Sequence, residues 1–382
     1  MALVASARKE VLLFSDDFDR YEEAWHPDAT IGTPGGFQEY VPEANYVQDG
    51  VLYIKPRLRG DLGGCDDDCG AIPPPVLSGK LSTKGSFSFA FGRVEVRARL
   101  PAGDWLRPGI GLESRDNAYG DWPRSGEIKI MESCGNRAAW GNGRVSSTVR
   151  SGPNGVAKMN ATLANNRTFA DAFVVFGLYW SDHELYVYYD DGQMHVFNRV
   201  PNYGVETTRR DDAGDEDVGS SPTAPYDQPF YLTLSLAVGE EEEEEDEDSY
   251  ITDTAEKPWK MTDPFPQTSF YRNRGAWYPS WTTKTKGATN VSDDAALRID
   301  SVRIWGLDGL TTFAKRDGLD HLLDTAVLLA ATQKHRTRYL PLSVSALALA
   351  LVVALLSVLL RVEPGSFRND DDDDGTATVA WV

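Results

Sequence analysis

Cysteine and histidine are scarce in this chain, which has three cysteines and five histidines among its 382 residues. Cys65 and Cys69 flank three aspartates and could close a disulfide loop in an oxidising compartment. So short a loop is tight, and a pair of free thiols is nearly as well favoured. Cys134 has no histidine that can be paired with it from the sequence, so we expect a small buried residue rather than a nucleophile.

The sequence also lacks the motifs that hold cofactors and metals. No glycine-rich phosphate loop follows a strand and opens a helix, so we expect neither a nucleotide nor a redox cofactor. The acidic stretches 211–217 and 240–248 lack the spaced ligands and the glycine of a calcium loop, so we expect no bound metal. Both stretches are predicted to be solvated loops, because they contain almost nothing that could be buried.

Positive charge is in deficit, with 38 Lys and Arg against 58 Asp and Glu and a formal net charge of −20. A polyanionic nucleic acid would be repelled by such a chain, which excludes it as a partner. Aromatic residues are plentiful, with 10 Trp and 16 Tyr, and flat rings stack well on the apolar faces of sugars. Most of these rings are equally expected to fill the core of a β-fold.

Long hydrophobic runs are absent until the C-terminus. Residues 1–10 contain no apolar core of a signal peptide, so we treat them as an N-terminal extension without a cleavable export signal. The segment from Leu340 to Leu360 has no charged residue and matches the roughly 20 residues that span a bilayer. It predicts a transmembrane helix, with a buried core helix as the alternative. A stalk, 313–339, would precede this helix and a disordered acidic tail, 361–382, would follow it.

Short β patterns follow one another along 45–310, with little helical periodicity. Residues 94–100 alternate between apolar and charged side chains, as in a half-buried strand, and Asp191-Gly192 is a tight-turn signal. So many short strands predict a two-sheet antiparallel sandwich over residues 11–312. The remaining strands are predicted at 11–14, 51–54, 173–180, 185–189, 230–238 and 297–305.

The sharpest local signal is the segment GEIKIMES at 126–133. On a flat strand Glu127 and Lys129 share one face, whereas Glu132 points to the other. A β-bulge at Ile130 or Met131 would return Glu132 to the face of Glu127. Two carboxylates on one face, about 5 to 5.5 Å apart, are what retaining glycoside hydrolysis requires. An exposed strand with solvated charges is the alternative interpretation.

Eight segments, in order, carry a resemblance to a known family. They are DGVLYI at 49–54, FGRVEVR at 91–97, DWLRP at 104–108, RDNAYGDWP at 115–123, SGEIKIMES at 125–133, DQPFYL at 227–232, KPW at 257–259 and WYPSW at 277–281. Over residues 11–307 the chain resembles the laminarinase and β-1,3-glucan-binding-protein branch of glycoside hydrolase family 16. The resemblance implies an all-β, concanavalin-like antiparallel β-jelly-roll sandwich with a β-glucan cleft across its concave sheet.

The same resemblance implies roles for individual residues. Glu127 matches the family nucleophile and Glu132 the acid/base. Five residues lie in stretches that resemble the cleft walls and are the candidates for stacking on sugars or binding their hydroxyls: Trp105, Asn117, Tyr119, Trp122 and Trp277.

The sequence departs from the family pattern at this site. Family members usually carry an Asp where Lys129 stands. An ammonium between two carboxylates favours their ionised forms, whereas a general acid must hold a proton near neutral pH. Other departures remove a stacking surface or a catalytic helper: Arg107 and Gly111 replace Trp, Arg150 and Ser151 replace His-Trp, and Glu240 begins an acidic run in place of a glycine-rich loop.

Three functions remain open from the sequence. The first is a membrane-tethered endo-β-1,3-glucanase acting through Glu127 and Glu132, which we favour because both reactive groups persist. The second is a non-catalytic, membrane-tethered β-glucan-binding protein, which Lys129 and the tether both suit. The third is a degenerate protein whose cleft binds nothing.

Two signals disagree on which side of the membrane the large domain faces. Three basic residues within 334–338 precede the predicted span and two within 361–368 follow it, which weakly favours a cytosolic domain. Sequons at Asn160, Asn166 and Asn290 indicate the other side. A single-pass membrane protein with an extracellular or lumenal domain is favoured on function, because a sugar cleft needs a route to extracellular glycans.

Overall fold

The computed structural model describes residues 8–315 except 22, 31–35, 61, 63–69, 137–141, 152–156, 165–167, 202–208, 211–215, 218–220, 240–256, 261 and 283–289. The chain divides into two compact units, Met1–His321 and Leu322–Val382, and all described residues belong to the first. Several sequence predictions lie outside the described residues: the Cys65 and Cys69 pair, the loop 240–248, the stalk after 315, the span 340–360 and the tail. Among the residues that are described, no helix has both the length and the apolar character needed to cross a bilayer.

Two large antiparallel sheets form the described body. In sheet 1 the strands lie in the order β17 (Met194–Pro201), β16 (Glu184–Asp190), β15 (Val174–Trp180), β10 (Gly92–Arg99), β21 (Leu297–Leu307), β5 (Val51–Ile54) and β4 (Asn45–Gln48), and β1 (Glu10–Asp16) also pairs with β21.

Sheet 2 carries the candidate site. Its order is β14 (Ala157–Ala164), β13 (Arg144–Arg150), β12 (Glu127–Ser133), β11 (Leu106–Ser114), β20 (Phe230–Val238), β8 (Lys80–Ser82) and β2 (His26–Pro27). Beside them, β9 (Phe87–Ala90) pairs with both β20 and β22 (Thr312–Lys315).

The remaining elements are short. A small sheet contains β3 (Gln38–Tyr40), β7 (Val76–Ser78) and β6 (Arg57–Leu58), and β18 (Arg209–Arg210) pairs with β19 (Glu216–Asp217). The helices are α1 (Pro266–Arg272), α2 (Arg274–Trp277) and the 3-10 turns Pro42–Ala44, Tyr278–Ser280 and Asp293–Ala295.

The core forms from side chains that alternate along the strands. In β10, Val94 and Val96 are fully buried while the charged residues between and beside them lie on the other face of sheet 1. Sheet 2 supplies the second layer, with Leu112, Ile128 and Leu234 at 0% exposure. Burial of this apolar surface stabilises the sandwich at about 25 cal/mol per Å².

The predicted two-sheet antiparallel sandwich is confirmed. The strands expected at 51–54 and 230–238 have those bounds, and the Asp191-Gly192 turn joins β16 to β17. The domain is longer than predicted at both ends. Glu10 begins β1, and β22 extends three residues beyond 312 because it pairs with β9. Glu216–Asp217 in the acidic stretch forms a strand, where a loop was predicted.

Candidate active site

A bulge in β12 places three charged side chains on the same face of sheet 2. Ile110 of β11 lies opposite Met131, and Gly111 lies opposite Lys129, so Ile130 has no residue opposite it. Ile128, Ile130 and Met131 are all buried at 0% exposure. Glu127, Lys129 and Glu132 therefore share the face that points away from the core, as the predicted bulge requires.

Lys129 lies between the two glutamates. Its Nζ is 2.8 Å from Oε1 of Glu127 and 3.9 Å from Oε1 of Glu132. The lysine side chain is 28% exposed and that of Glu127 only 9%, so the shorter ion pair is largely shielded from water. One ammonium group thus lies within ion-pair distance of both carboxylates that the family resemblance assigns to catalysis.

The charge on Lys129 is stable. Desolvation acts to lower the pKa of its ammonium, but attraction by Glu127, Glu132 and Glu113 outweighs desolvation and raises the pKa above its ordinary value. Lys129 therefore remains cationic at any pH near neutrality. A sugar that approaches Oε1 of Glu127 meets this ammonium, which contacts both Glu127 and Glu132.

Gly111 makes room for the lysine stem. A Cβ atom at this position would lie 3.3 Å from Cδ of Lys129 and 3.1 Å from the backbone oxygen of Ile128. The aliphatic part of Lys129 therefore runs over the glycine backbone of the neighbouring strand. The two departures from the family pattern at 111 and 129 are thus physically linked, since a large side chain at 111 would clash with this lysine conformation.

A second ion pair extends the polar face across β11, β20 and β8. Oη of Tyr231 donates to Oε2 of Glu113 at 2.6 Å, and Nζ of Lys80 lies 3.0 Å from Oε1 of the same carboxylate. Burial tends to raise the pKa of Glu113, but Lys80, Tyr231 and Lys129 together lower it. Burial, followed by the charge of Glu113, raises the pKa of the Tyr231 hydroxyl.

Sequence reasoning missed this second group of residues. Glu113 lies directly opposite both Glu127 on β12 and Tyr231 on β20. The only available signal was strand alternation, which puts Tyr231 and Thr233 on one face of the predicted strand 230–238. Pairing across strands is not visible in a single sequence, so the contact with Lys80 could not be predicted.

Trp122 is the predicted sugar-binding residue that lies beside the glutamates. It is 59% exposed, and its Nε1 donates to Oε2 of Glu127 at 3.3 Å. The guanidinium carbon of Arg150 is 5.9 Å from the centroid of the Trp122 ring, and Arg150 also lies opposite Glu127 in the sheet. Trp122, Arg150 and Glu127 therefore form one group, with an open aromatic ring at its edge.

Trp105 and Trp277 lie in the interior instead. Trp277 is 1% exposed, and its ring stacks on Phe270 with 4.2 Å between centroids. Trp105 is 5% exposed and meets Trp259 edge to face at 4.7 Å. Both rings are enclosed by protein and make packing contacts, and the stacking on sugars that the resemblance implies for them stays a prediction.

Tyr119 and Asn117 belong to the loop that leads into β12. Tyr119 is 7% exposed, and its hydroxyl donates to Oδ1 of Asp227 at 2.7 Å. Asn117 is exposed at a left-handed backbone position with φ 51°, and its backbone N–H donates to Oγ of Ser114 at 3.1 Å. The Tyr119 ring is thus a loop anchor, whereas the Asn117 side chain can reach solvent.

No metal centre is evident in the parts of 8–315 for which coordinates are described, where no three His, Cys, Asp or Glu side chains group as ligands. The described face of sheet 2 offers paired charges, hydroxyls and the exposed indole ring of Trp122. These groups suit hydrogen bonding to sugar hydroxyls and stacking on a pyranose face.

Several proteins of similar sequence are known, although no family model matches the chain. A β-1,3-glucan-binding protein of Penaeus monodon is 34% identical over 346 residues, covering 78% of this chain and 90% of that protein. β-1,3-Glucan-binding protein 1 of Galleria mellonella is 29% identical and covers 78% of this chain and 64% of that protein. A glucan endo-1,3-β-glucosidase A1 of Niallia circulans is 33% identical over 198 residues, which cover 51% of this chain and 26% of that protein. The chain thus spans from about a quarter to nine-tenths of these relatives.

Solved structures agree on the fold. The laminarinase from Rhodothermus marinus superposes with a TM-score of 0.52 at 24% identity, covering 78% of this chain and 98% of that one. The catalytic domain of an endo-1,3-β-glucanase from Thermotoga petrophila superposes with a TM-score of 0.51 at 21% identity, covering 79% of this chain and 100% of that one. Together with the sequence relatives, these similarities show that the chain belongs to glycoside hydrolase family 16, in the branch of laminarinases and β-1,3-glucan-binding proteins.

Proposed function

We propose that this protein binds β-1,3-glucan on the exposed face of sheet 2 without efficient hydrolysis. The observation that carries this proposal is the position of Lys129, whose ammonium contacts both Glu127 and Glu132. The names of the Penaeus and Galleria relatives support glucan binding, and the fold shared with a laminarinase is consistent with it.

Binding and hydrolysis make different demands on the glutamates. A nucleophilic carboxylate must approach the anomeric carbon directly, and the acid must deliver a proton to the leaving oxygen. An ammonium 2.8 Å from Glu127 competes for the oxygen that would attack. Binding needs only donors and acceptors, and Lys129, Glu127, Glu113 and Tyr231 provide both to sugar hydroxyls.

Trp122 completes the binding surface. Its indole ring is open to solvent next to Glu127, so a pyranose ring can stack on it while its hydroxyls reach the charged floor. The Trp122 ring and the Lys129 ammonium are both positioned before the ligand arrives, since Nε1 of Trp122 donates to Glu127 and the ammonium pairs with the same carboxylate. Such preorganisation lowers the entropic cost of binding.

Retaining hydrolysis is the second candidate function, and the bulge at Ile130 favours it. Because of the bulge, Glu127 and Glu132 lie on one face, which is the arrangement that a nucleophile and an acid/base need. In this mechanism Glu127 attacks the anomeric carbon while Glu132 protonates the leaving oxygen, and Glu132 then activates the water that releases the sugar. A substrate able to displace Lys129 would use this pair.

The experiment that separates the two functions uses the full chain. Sedimentation with insoluble β-1,3-glucan measures binding, and reducing-sugar release from laminarin measures hydrolysis. We expect binding without release in the natural protein, and a gain of release in Lys129→Asp, which restores the residue usual in the family. Glu127→Gln combined with Lys129→Asp is the control that must lose any gain.

Two results would contradict the proposal. Release by the natural chain that Glu127→Gln abolishes would establish a retaining glucanase despite Lys129. Absence of both binding and release, in a chain with a normal unfolding transition, would show that the face has lost the function of its family.

A further inference from the structure

A cavity of about 430 Å³ lies beside β4, the last strand of sheet 1. Its walls come from the turn Pro42–Ala44, the start of β4, the connection from β5 to β6 together with β6 itself, Tyr278 after α2, and the pair Asn290 and Val291. The volume falls within the range of small-molecule sites, about 300 to 1,000 Å³. None of the charged residues of sheet 2 lines this cavity, so it is separate from the site described above.

Two tyrosine rings in the wall of this cavity are fixed by other aromatic rings. Tyr46 stacks on Tyr53 with 5.2 Å between centroids and an interplanar angle of 3°, and Tyr53 itself does not line the cavity. Tyr278 packs against Trp277 and Trp281 at 5.9 Å each. The segment WYPSW thus buries its two tryptophans and leaves the half-buried tyrosine between them to line the cavity.

Two charged side chains of the wall have no partner in the described part of the chain. Arg57 and Glu43 are both exposed, and neither makes a hydrogen bond or ion pair with the described residues around them. A guanidinium and a carboxylate near fixed aromatic rings can each bond two neighbouring hydroxyls of a sugar, while a ring supports the apolar face.

Among the described residues of the wall the charges balance, which favours a neutral ligand. Arg57 and Glu43 carry opposite charges, and Nζ of Lys55 is held by Oδ1 of Asp293 at 2.7 Å. An anion such as phosphate would need a net positive site, and a cation would need the reverse. A polyhydroxylated, uncharged ligand requires neither.

We propose that this cavity is a second glucan-binding site, which takes a short stretch of neutral β-linked glucose units. The choice of sugar rests on the proposed function of sheet 2, whereas the cavity itself stands on its own residues. Two weak sites on one chain would hold a polymeric glucan by avidity, because the second contact forms at a high effective concentration. Such a gain suits a protein that retains its polymer instead of cleaving it.

The test is calorimetric titration of the full chain with a soluble β-1,3-linked glucose tetrasaccharide. We expect two binding events per chain. Arg57→Ala and, separately, Glu43→Ala should each weaken one event about tenfold and leave the other within about twofold. Arg272→Ala, which removes an exposed arginine outside the cavity, is the matched control and should leave both events unchanged. Trp122→Ala should remove the sheet 2 event alone.

Both cavity substitutions remove exposed side chains, so loss of the fold is not expected to confuse the result. The inference is overturned if Arg57→Ala and Glu43→Ala both leave the titration unchanged, or if the tetrasaccharide gives no event other than the one that Trp122→Ala removes. The opposite pattern, with Arg57→Ala abolishing binding and Trp122→Ala without effect, would support the cavity and contradict the proposed function of sheet 2.

Discussion

At the residue scale, Lys129 is held by three carboxylates whose repulsion it relieves. Its pKa is raised in the folded protein, so its contribution to the unfolding free energy is complete below the unfolded value of about 10.4. Titration of the ammonium itself removes that contribution as the pH rises through the higher folded value. The contact with Glu127 should therefore remain intact across the whole range in which glucan binding is measured.

Replacing Lys129 by Met should destabilise the protein at neutral pH. The substitution keeps the length of the stem over Gly111 but leaves Glu127, Glu132 and Glu113 without their shared cation. We expect the free energy of unfolding to fall by about 2 kcal/mol at pH 7 and by less in acid, where carboxylates take up protons. Urea denaturation at both pH values measures the difference. An equal loss of unfolding free energy at both pH values would show that packing rather than charge is responsible.

Two tryptophans that the motifs treat alike should respond differently to alanine substitution. Trp122→Ala should weaken glucan binding by about tenfold and change stability by less than about 0.5 kcal/mol, because the ring is 59% exposed. Trp277→Ala should cost about 3 to 5 kcal/mol, because it empties a site that is 1% exposed. Thermal unfolding and glucan sedimentation of both variants provide the comparison. A stable Trp277→Ala protein that has lost binding would return Trp277 to the sugar site.

The sequence predicted the charged residues of the site better than it predicted which aromatic rings are exposed there. Glu127, Lys129 and Glu132 could be placed on one face because a bulge at Ile130 or Met131, which plain strand periodicity does not supply, returns Glu132 to the face of Glu127. Whether a tryptophan ring is open or enclosed depends on its neighbours in space. The ring of Trp277 stacks on Phe270 in α1, and the local sequence pattern around Trp277 does not predict this contact.

At the scale of elements, strands were easier to predict than helices. Each long strand has its own alternating pattern, as β10 does, and an extended apolar run such as β20 is bounded by Pro229 and Gly239. The helix α1 has seven residues and α2 has four, which is too short for a helical period to emerge. Both helices take their stability from Phe270 and Trp277 in the aromatic interior.

The pairing of β15 with β16 depends on a glycine under a tyrosine ring. A Cβ atom on Gly177 would lie 2.1 Å from Cζ of Tyr188, and the Tyr188 hydroxyl reaches Oε1 of Glu95 at 2.9 Å. Gly177→Ala should therefore lower the free energy of unfolding by about 1 to 3 kcal/mol through overpacking. Tyr188→Ala in the same chain should restore part of this loss relative to Tyr188→Ala alone. Strictly additive effects in this double-mutant cycle would contradict the direct clash.

At the scale of the whole molecule, the two sheets present different surfaces to a polymer. The face of sheet 2 has paired charges and one open indole ring, and the cavity beside β4 has balanced charges and fixed tyrosines. Neither has a strong net charge of its own, although the chain as a whole carries −20. On the proposed function, both surfaces would bind a neutral glucan by hydrogen bonds and stacking, while the acidic remainder of the protein would discourage polyanions.

Insertion of segment 340–360 in a membrane remains a prediction, and such an anchor would set where the protein holds its glucan. An uncharged segment of this length should keep the full chain in the membrane pellet after alkaline carbonate extraction. Leu351→Arg together with Leu355→Arg should release it, since each arginine near the centre of a span costs about 2.5 to 3.5 kcal/mol. Asp372→Ala, in the acidic tail, is the control and should stay in the pellet. A natural chain found in the supernatant would mean that the glucan sites act without a membrane anchor at this segment.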